Sequence, residues 1–259
     1  MNKPIRIFIG TEIGNEKAEK ALHYSIIKNC NNNEEIYWMS NKYKDSIWDN
    51  WNRGRGDGDE NSGEGWKTNF SVFRWTVPEL CNYSGMAIYL DVDQIILKDM
   101  QQMWDIDIGN NAASMIKEVR TDVMLVNCCK FKDNFWPKIQ KMKPSGNNQK
   151  YYKAIIQKNF SIGVLDKIYN CLDGKDFDVE KTRLMHYTKM NTQPWKPFPN
   201  RIEYKEHSNK EVESLWHDYY KEALEFEAKN NYTLGSPDGF FDLKSSFDKV
   251  SNSAAKYIR

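Results

Sequence analysis

Hydrophobic positions along this chain recur with two different periods. Ile5-Arg6-Ile7-Phe8-Ile9 and Glu35-Ile36-Tyr37-Trp38-Met39 are short runs dense in β-branched and aromatic residues, and they predict strands. Between them Ala18, Ala21, Leu22, Ser25 and Ile26 fall on one helical face, so 16–29 is predicted as a helix that covers a sheet. Phe70, Phe73, Val77 and Leu80 have helical spacing as well, although Pro78 means that a helix over 68–80 is irregular or restarts. Further strands are expected at 112–116 and 123–127, a short extended piece at 162–165, and helices near 130–142 and 151–158. From Lys210 to Lys229 the residues Val212, Trp216, Tyr219, Ala223 and Phe226 form the apolar face of an amphipathic helix. Strands alternating with helices indicate the α/β class.

The most informative run is Met86-Ala87-Ile88-Tyr89-Leu90-Asp91-Val92-Asp93-Gln94-Ile95-Ile96-Leu97. Its continuous apolar character predicts one strand buried on both faces of a mostly parallel sheet. Two carboxylates near its far end are costly there unless a cation accompanies them. Side chains alternate along a strand, so Asp91 and Asp93 are expected on one side, where they can share a hard divalent ion, or an ion and a ribose. Open α/β sheets bind ligands at the carboxyl ends of their strands, which is where this pair falls. By the same rule Gly10, Thr11 and Glu12, after the first strand, are candidates for the nucleotide base or ribose.

Composition narrows the partners. The chain has 259 residues and a formal charge of +1, which argues against nucleic acid as the main partner. No signal-peptide pattern or membrane-spanning run is read, so a cytoplasmic location is expected. The five cysteines, an odd number, are read as reduced thiols. Aromatic density on the 210–229 helix leaves membrane association open. Residues 1–200 are expected to form the catalytic domain, and 201–259 a helical segment and tail that pack on it or extend from it. Within the first, 45–66 collects Trp48, Trp51, Arg53 and Arg55 among glycines and acidic residues, and reads either as a mobile flap or as an insertion.

Arg74 lies between apolar positions of the 68–80 segment. Its guanidinium belongs either to an ion pair or to a site for the donor. Farther on, Leu184-Met185-His186-Tyr187-Thr188-Lys189-Met190-Asn191-Thr192-Gln193-Pro194-Trp195-Lys196 contains one histidine and two lysines. His186 makes chemical sense as a third ligand beside two aspartates, because imidazole suits manganese. Lys189 and Lys196 can neutralise a departing diphosphate.

Together these pieces resemble glycosyltransferase family 8, the group that includes glycogenin and bacterial lipopolysaccharide galactosyltransferases. The resemblance covers about residues 5–196 and is sharpest from Phe70 to Leu97. Arg74 precedes the Asp-x-Asp strand at the family's interval for a donor-contacting basic residue. His186 through Trp195 is similar to the family's His-Phe-x-Gly-x-x-Lys-Pro-Trp stretch, with Lys189 at the glycine position and Gln193 before the Pro-Trp pair. The family's Asp-Gln-Asp triplet has no counterpart; the nearest polar cluster is Asn147-Asn148-Gln149. Asp122, before the 123–127 strand, is either a compensating sugar-binding carboxylate or a turn residue.

The resemblance implies a GT-A fold, with a mostly parallel central sheet flanked by helices and a helical C-terminal segment. It also implies transfer from a nucleotide-diphosphate sugar, in this family most often a UDP-sugar, to a hydroxyl of a carbohydrate or glycan acceptor, with retention. Asp91, Asp93 and His186 would bind Mn2+ or Mg2+. Gly10, Thr11, Glu12, Arg74, Asp91, Val92, Lys189, Gln193 and Lys196 would contact the donor, and Asp122, Gln149 and Arg74 would act in catalysis. Two other classes fit parts of the pattern: a nucleotidyltransferase, although the glycine-rich segment here is acidic, and a catalytically inactive nucleotide-sugar-binding module.

Overall fold

The two strands predicted at the start of the chain lie side by side. In the computed structural model, which describes residues 4–12, 14–31, 33–40, 69–116, 120–132, 156–195 and 203–236, β1 (Ile5–Thr11) runs parallel to β2 (Glu34–Ser40), and α1 (Glu16–Asn29) connects them. Then follow β3 (Met86–Asp91), β4 (Gln94–Ile96), β5 (Ala113–Ile116), β6 (Arg120–Asn127), β7 (Ile162–Leu165), β8 (Cys171–Leu172) and β9 (Leu184–His186). Six of them form the main sheet in the order β2-β1-β3-β6-β5-β7. Five run in one direction and β6 alone opposes them, so the sheet is mostly parallel. Ile7, Ile9, Ile88, Tyr89 and Leu90 are fully buried, as continuous apolar strands in a covered sheet should be.

The run from Met86 to Leu97 is two strands, where one was expected. After Asp91 the chain bends at Val92 and Asp93, and β4 leaves the main sheet to join a small one in the order β4-β9-β8. Val92 donates its backbone N–H to the Gly10 carbonyl at 3.1 Å, which holds the bend against β1. Pairing in the small sheet sets Gln94 opposite His186 and Leu172 opposite His186 on the other side. A histidine remote in sequence is thereby delivered next to Asp93.

The expected helix over 68–80 is a 3-10 helix from Asn69 to Thr76 followed by α2 (Val77–Leu80). Pro78 sits in the first turn of α2, where its missing N–H is harmless. α3 (Gln101–Trp104) is one turn that buries Met103. The long α4 (Lys210–Asn230) starts at Asn209, whose side chain accepts from Val212 N, and ends at Asn231 in a left-handed conformation (φ 49°).

α4 packs on α1. Lys20 reaches Glu227 at 2.6 Å, Lys28 reaches Glu222 at 2.6 Å, and Asn29 Nδ2 donates to the Tyr219 hydroxyl at 2.8 Å. α4 also supports the segment after β9: Tyr187 donates its hydroxyl to the Val212 carbonyl at 2.9 Å, and Trp216 lies against Trp195, ring centroids 5.5 Å apart. Loss of a buried tryptophan such as Trp216 typically costs about 3–5 kcal/mol. Among the described residues no helix is long and apolar enough to cross a membrane. Among the described residues no disulfide forms: Cys30, Cys81, Cys128 and Cys171 are buried and Cys129 is exposed. The 45–66 segment, Phe135, Trp136 and the tail from 237 lie outside the described residues.

Candidate metal centre

Asp91 ends β3, Asp93 lies in the bend and His186 ends β9. One ligand atom from each lies within 4.8 Å of the others, with Asp91 and His186 buried and Asp93 partly so. The aspartates converge because the chain turns between them, not because an unbroken strand alternates.

Asp91 is held from two directions. Arg74 donates from Nη2 to both its carboxylate oxygens, at 2.9 and 3.1 Å, and the Tyr89 hydroxyl donates to Oδ1 at 2.7 Å. Nη1 of Arg74 donates to Thr121 Oγ1 at 2.6 Å, and its guanidinium lies 4.9 Å from the Tyr89 ring centroid. Arg74 is therefore engaged with Asp91 in this structure. Burial pushes the Asp91 carboxyl up, Arg74 pulls it back, and the charges of Asp93 and Asp122 add to the rise, to about 7. Tyr89 lies two residues before Asp91 on the same face of β3, so strand periodicity could have flagged it.

Asp93 Oδ2 accepts from Gln193 Nε2 at 3.2 Å, and the same amide nitrogen donates to the Tyr187 carbonyl at 2.7 Å. Asp93 Oδ1 is buried with no aligned donor, although His186 Nε2 stands 3.0 Å away. Burial would lower the His186 pKa, but the charge of Asp93, a hydrogen bond to it and the charges of Asp122 and Asp91 outweigh burial and lift the imidazole to about 9. Asp91 and Asp93, with Asp122 behind them, make a site that favours positive charge, whether an imidazolium or a metal ion. Oxygen donors with one nitrogen suit manganese or magnesium.

Asp122 lies beneath His186 rather than in the open. Its Oδ1 accepts from Asn170 Nδ2 at 3.1 Å, its Oδ2 accepts from Arg120 Nε at 3.1 Å, and His186 Nδ1 is 3.5 Å away. Burial opposes its charge, yet His186 and Arg120 hold its carboxyl below the usual range. Gly10 stands opposite Asp91 in the β1–β3 register. Thr11 Oγ1 donates to Glu19 Oε1 of α1 at 2.6 Å, and Glu12 is buried at the end of the strand. Lys189 is exposed on the segment after β9, where Asp173 Oδ1 accepts from its backbone N–H at 3.2 Å. Gln149 and Lys196 lie outside the described residues. Asn170, Thr121 and Arg120 were not anticipated, and none carries a motif that marks it.

The sheet, its flanking helices and this acidic centre define a GT-A fold. GlyE, a glycosyltransferase of Streptococcus pneumoniae TIGR4, superposes with a TM-score of 0.57 at 16% identity, over 93% of this chain and 67% of that one. The galactosyltransferase LgtC, solved with donor and acceptor sugar analogs, gives 0.53 at 12% identity over 84% of this chain and 96% of its own. The model of glycosyl transferase family 8 matches residues 59–159, the stretch that holds Arg74, Asp91, Asp93 and Asp122. Protein CDI of Arabidopsis thaliana is 31% identical over 106 residues, 40% of this chain, and the match spans only 37% of that relative. Over residues 59–159, then, the chain resembles glycosyl transferase family 8 in sequence, and its fold is that of the solved glycosyltransferases.

Proposed function

We propose that this protein is a metal-dependent glycosyltransferase. It moves a sugar from a nucleotide-diphosphate donor, a UDP-sugar in this reading, to a hydroxyl of a carbohydrate or glycan acceptor. The convergence of Asp91, Asp93 and His186 is the observation that carries this reading. These three would hold Mn2+ or Mg2+, and when bound the ion supplies positive charge that stabilises a departing diphosphate. LgtC, with the same fold and sugar analogs bound, supports the choice of substrate class.

The chain's own residues have distinct tasks in this proposal. Arg74 and Tyr89 orient Asp91, and Gln193 orients Asp93. Gly10, Thr11, Glu12 and Val92 border the base and ribose at the strand ends. Lys189, exposed on the segment beyond His186, and Lys196 bring cationic charge toward the diphosphate. Gln149 is assigned to the sugar or the acceptor. Asp122, with Arg120 and Asn170 on its oxygens, is poorly disposed to act as a nucleophile. The acceptor hydroxyl therefore attacks on the face the diphosphate leaves, with retention of configuration. Five cysteines that form no disulfide are in keeping with a reducing, cytoplasmic setting.

A thermal-shift panel of nucleotide sugars, with and without manganese, tests the reading on the wild type and Asp93→Ala. Stabilisation by one donor that needs metal and disappears in the variant is expected. Stabilisation indifferent to both metal and substitution would overturn it. Proton NMR of the transfer product then reads the anomeric configuration directly.

A further inference from the structure

His186 uses its ring nitrogens on opposite sides. Nε2 faces Asp93 Oδ1 at 3.0 Å, while Nδ1 lies 2.8 Å from the side-chain oxygen of Asn170. Behind Asn170 the chain of contacts continues: its Nδ2 donates to Asp122 Oδ1 at 3.1 Å, and Arg120 Nε donates to Asp122 Oδ2 at 3.1 Å. Asn170, Asp122 and His186 are 3%, 7% and 2% exposed, so water has little access with which to replace these partners.

The direction of this network is set at its far end. A carboxylate only accepts, and Arg120 already donates to Asp122. Asn170 must therefore turn its NH2 group toward Asp122, which leaves its oxygen facing His186. An oxygen at that place requires a hydrogen on Nδ1, and Nε2 is then the nitrogen whose lone pair can reach a cation. A lone pair on Nε2 facing the Asp93 carboxylate oxygen would be repulsive, so that edge of the ring needs a proton or a metal ion. Whether a proton or a metal ion relieves that opposition, Nδ1 keeps its hydrogen.

We propose that Asn170 and Asp122 are positioning residues: through a directional hydrogen-bond relay they fix His186 with hydrogen on Nδ1 and present Nε2 to a divalent ion beside Asp91 and Asp93. The backbone supports the same geometry. Asn170 closes the 3-10 turn over Lys167–Tyr169, donating its N–H to the Lys167 carbonyl at 3.0 Å, and leads directly into β8. β8 pairs in parallel with β9, placing Leu172 opposite His186, so the relay spans adjacent strands whose register is already fixed. The inference rests on the metal-site reading above and assigns to Asp122 a task other than contact with the sugar.

The test measures manganese alone, without any nucleotide sugar, by isothermal titration calorimetry. Histidine-ring nitrogen NMR, with magnesium in place of paramagnetic manganese, reads the tautomer. Asn170→Ala and Asp122→Asn should each weaken manganese binding by about tenfold or more, the range for a lost partner behind a metal ligand. In Asn170→Ala the His186 ring should lose its exclusive Nδ1–H form. The exchanged pair Asp122→Asn/Asn170→Asp keeps the direction of the relay, since an amide then donates to a carboxylate that accepts from Nδ1–H. It should recover affinity to within about threefold of the wild type, a rescue that a merely structural role would not produce. Asp122→Asn preserves side-chain shape and serves as the second variant if Asn170→Ala does not fold. Wild-type affinity in Asn170→Ala with an unchanged tautomer, or an exchanged pair no better than Asp122→Asn, would overturn the relay while leaving the metal site in place. A wild type that binds no manganese would overturn both.

Discussion

Gly10 and the Tyr89 hydroxyl compete for one space: a Cβ on residue 10 would lie 2.3 Å from the hydroxyl oxygen and 3.0 Å from the Phe70 ring. That hydroxyl donates to Asp91, which faces Gly10 in the β1–β3 register. The glycine is thus required by close approach, and its absent side chain is what lets Tyr89 reach the metal centre. Gly10→Ala should displace the tyrosine, cost about 1–3 kcal/mol through overpacking, and weaken manganese binding. Adding Tyr89→Phe removes the clashing oxygen, so the double variant should melt higher than Gly10→Ala alone. Equal melting temperatures would show that the two groups do not share that space.

Asp93 and His186 test the centre itself. Asp93→Asn keeps the shape of the side chain and removes one charge; His186→Gln keeps an acceptor but at a different place. Each should lower the initial rate of sugar transfer by roughly 10²–10³, the scale for losing one electrostatic stabiliser of a developing charge. A chelator should abolish wild-type transfer, and added manganese should restore it. Transfer by Asp93→Asn at the wild-type rate would remove Asp93 from the centre.

Arg74 is buried with Asp91, their side chains 4% and 13% exposed. Removing the guanidinium leaves the Asp91 carboxyl in a low-dielectric site without its cation and forces it to take up a proton, so Arg74→Met should destabilise the fold by about 3–5 kcal/mol in urea denaturation at about pH 8. Arg74→Met/Asp91→Asn removes both charges and should recover much of that loss. Arg74→Lys should not behave as wild type, because one ammonium cannot grip both oxygens of Asp91 and Thr121 together. If the double variant is no more stable than Arg74→Met, the ion pair is not what Arg74 supports.

The strands of the main sheet and the helices α1 and α4 were legible because their burial is local and periodic: the face of α1 predicted to be apolar is the face that is buried. Asp91 was legible as a charge at the end of an apolar strand, and Tyr89 could have been read from the two-residue period. The bend at Val92 and Asp93 was not legible. Residues 86–97 are apolar almost throughout, and a run buried on both faces looks the same whether it is one strand or two in different sheets. The pairing of Gln94 with His186 is equally silent, since it joins segments far apart and has no composition of its own. Asn170 illustrates the limit most clearly: a polar residue after a short turn looks like any surface asparagine until the fold buries it between Asp122 and His186.

Glu79, away from the metal centre, offers a test of the fold by pH. It lies in α2 with Oε2 buried and without a hydrogen-bond partner, and burial pushes its carboxyl from 4.5 up to about 7. Between those values the folded protein binds more protons at this site than the unfolded chain does, so the contribution of Glu79 to stability falls as pH rises through that window. The side chain is partly exposed, and solvent screening reduces the effect to about 1 kcal/mol. Glu79→Gln removes the charge and keeps the shape. It should raise the melting temperature by about 2–4 °C at about pH 8 and leave it nearly unchanged at about pH 4, where both carboxyl and amide are neutral. Every other titrating group is common to the two proteins and cancels in the difference between their melts. A difference that does not vary with pH would mean that Glu79 keeps its ordinary pKa and that its burial carries no electrostatic cost.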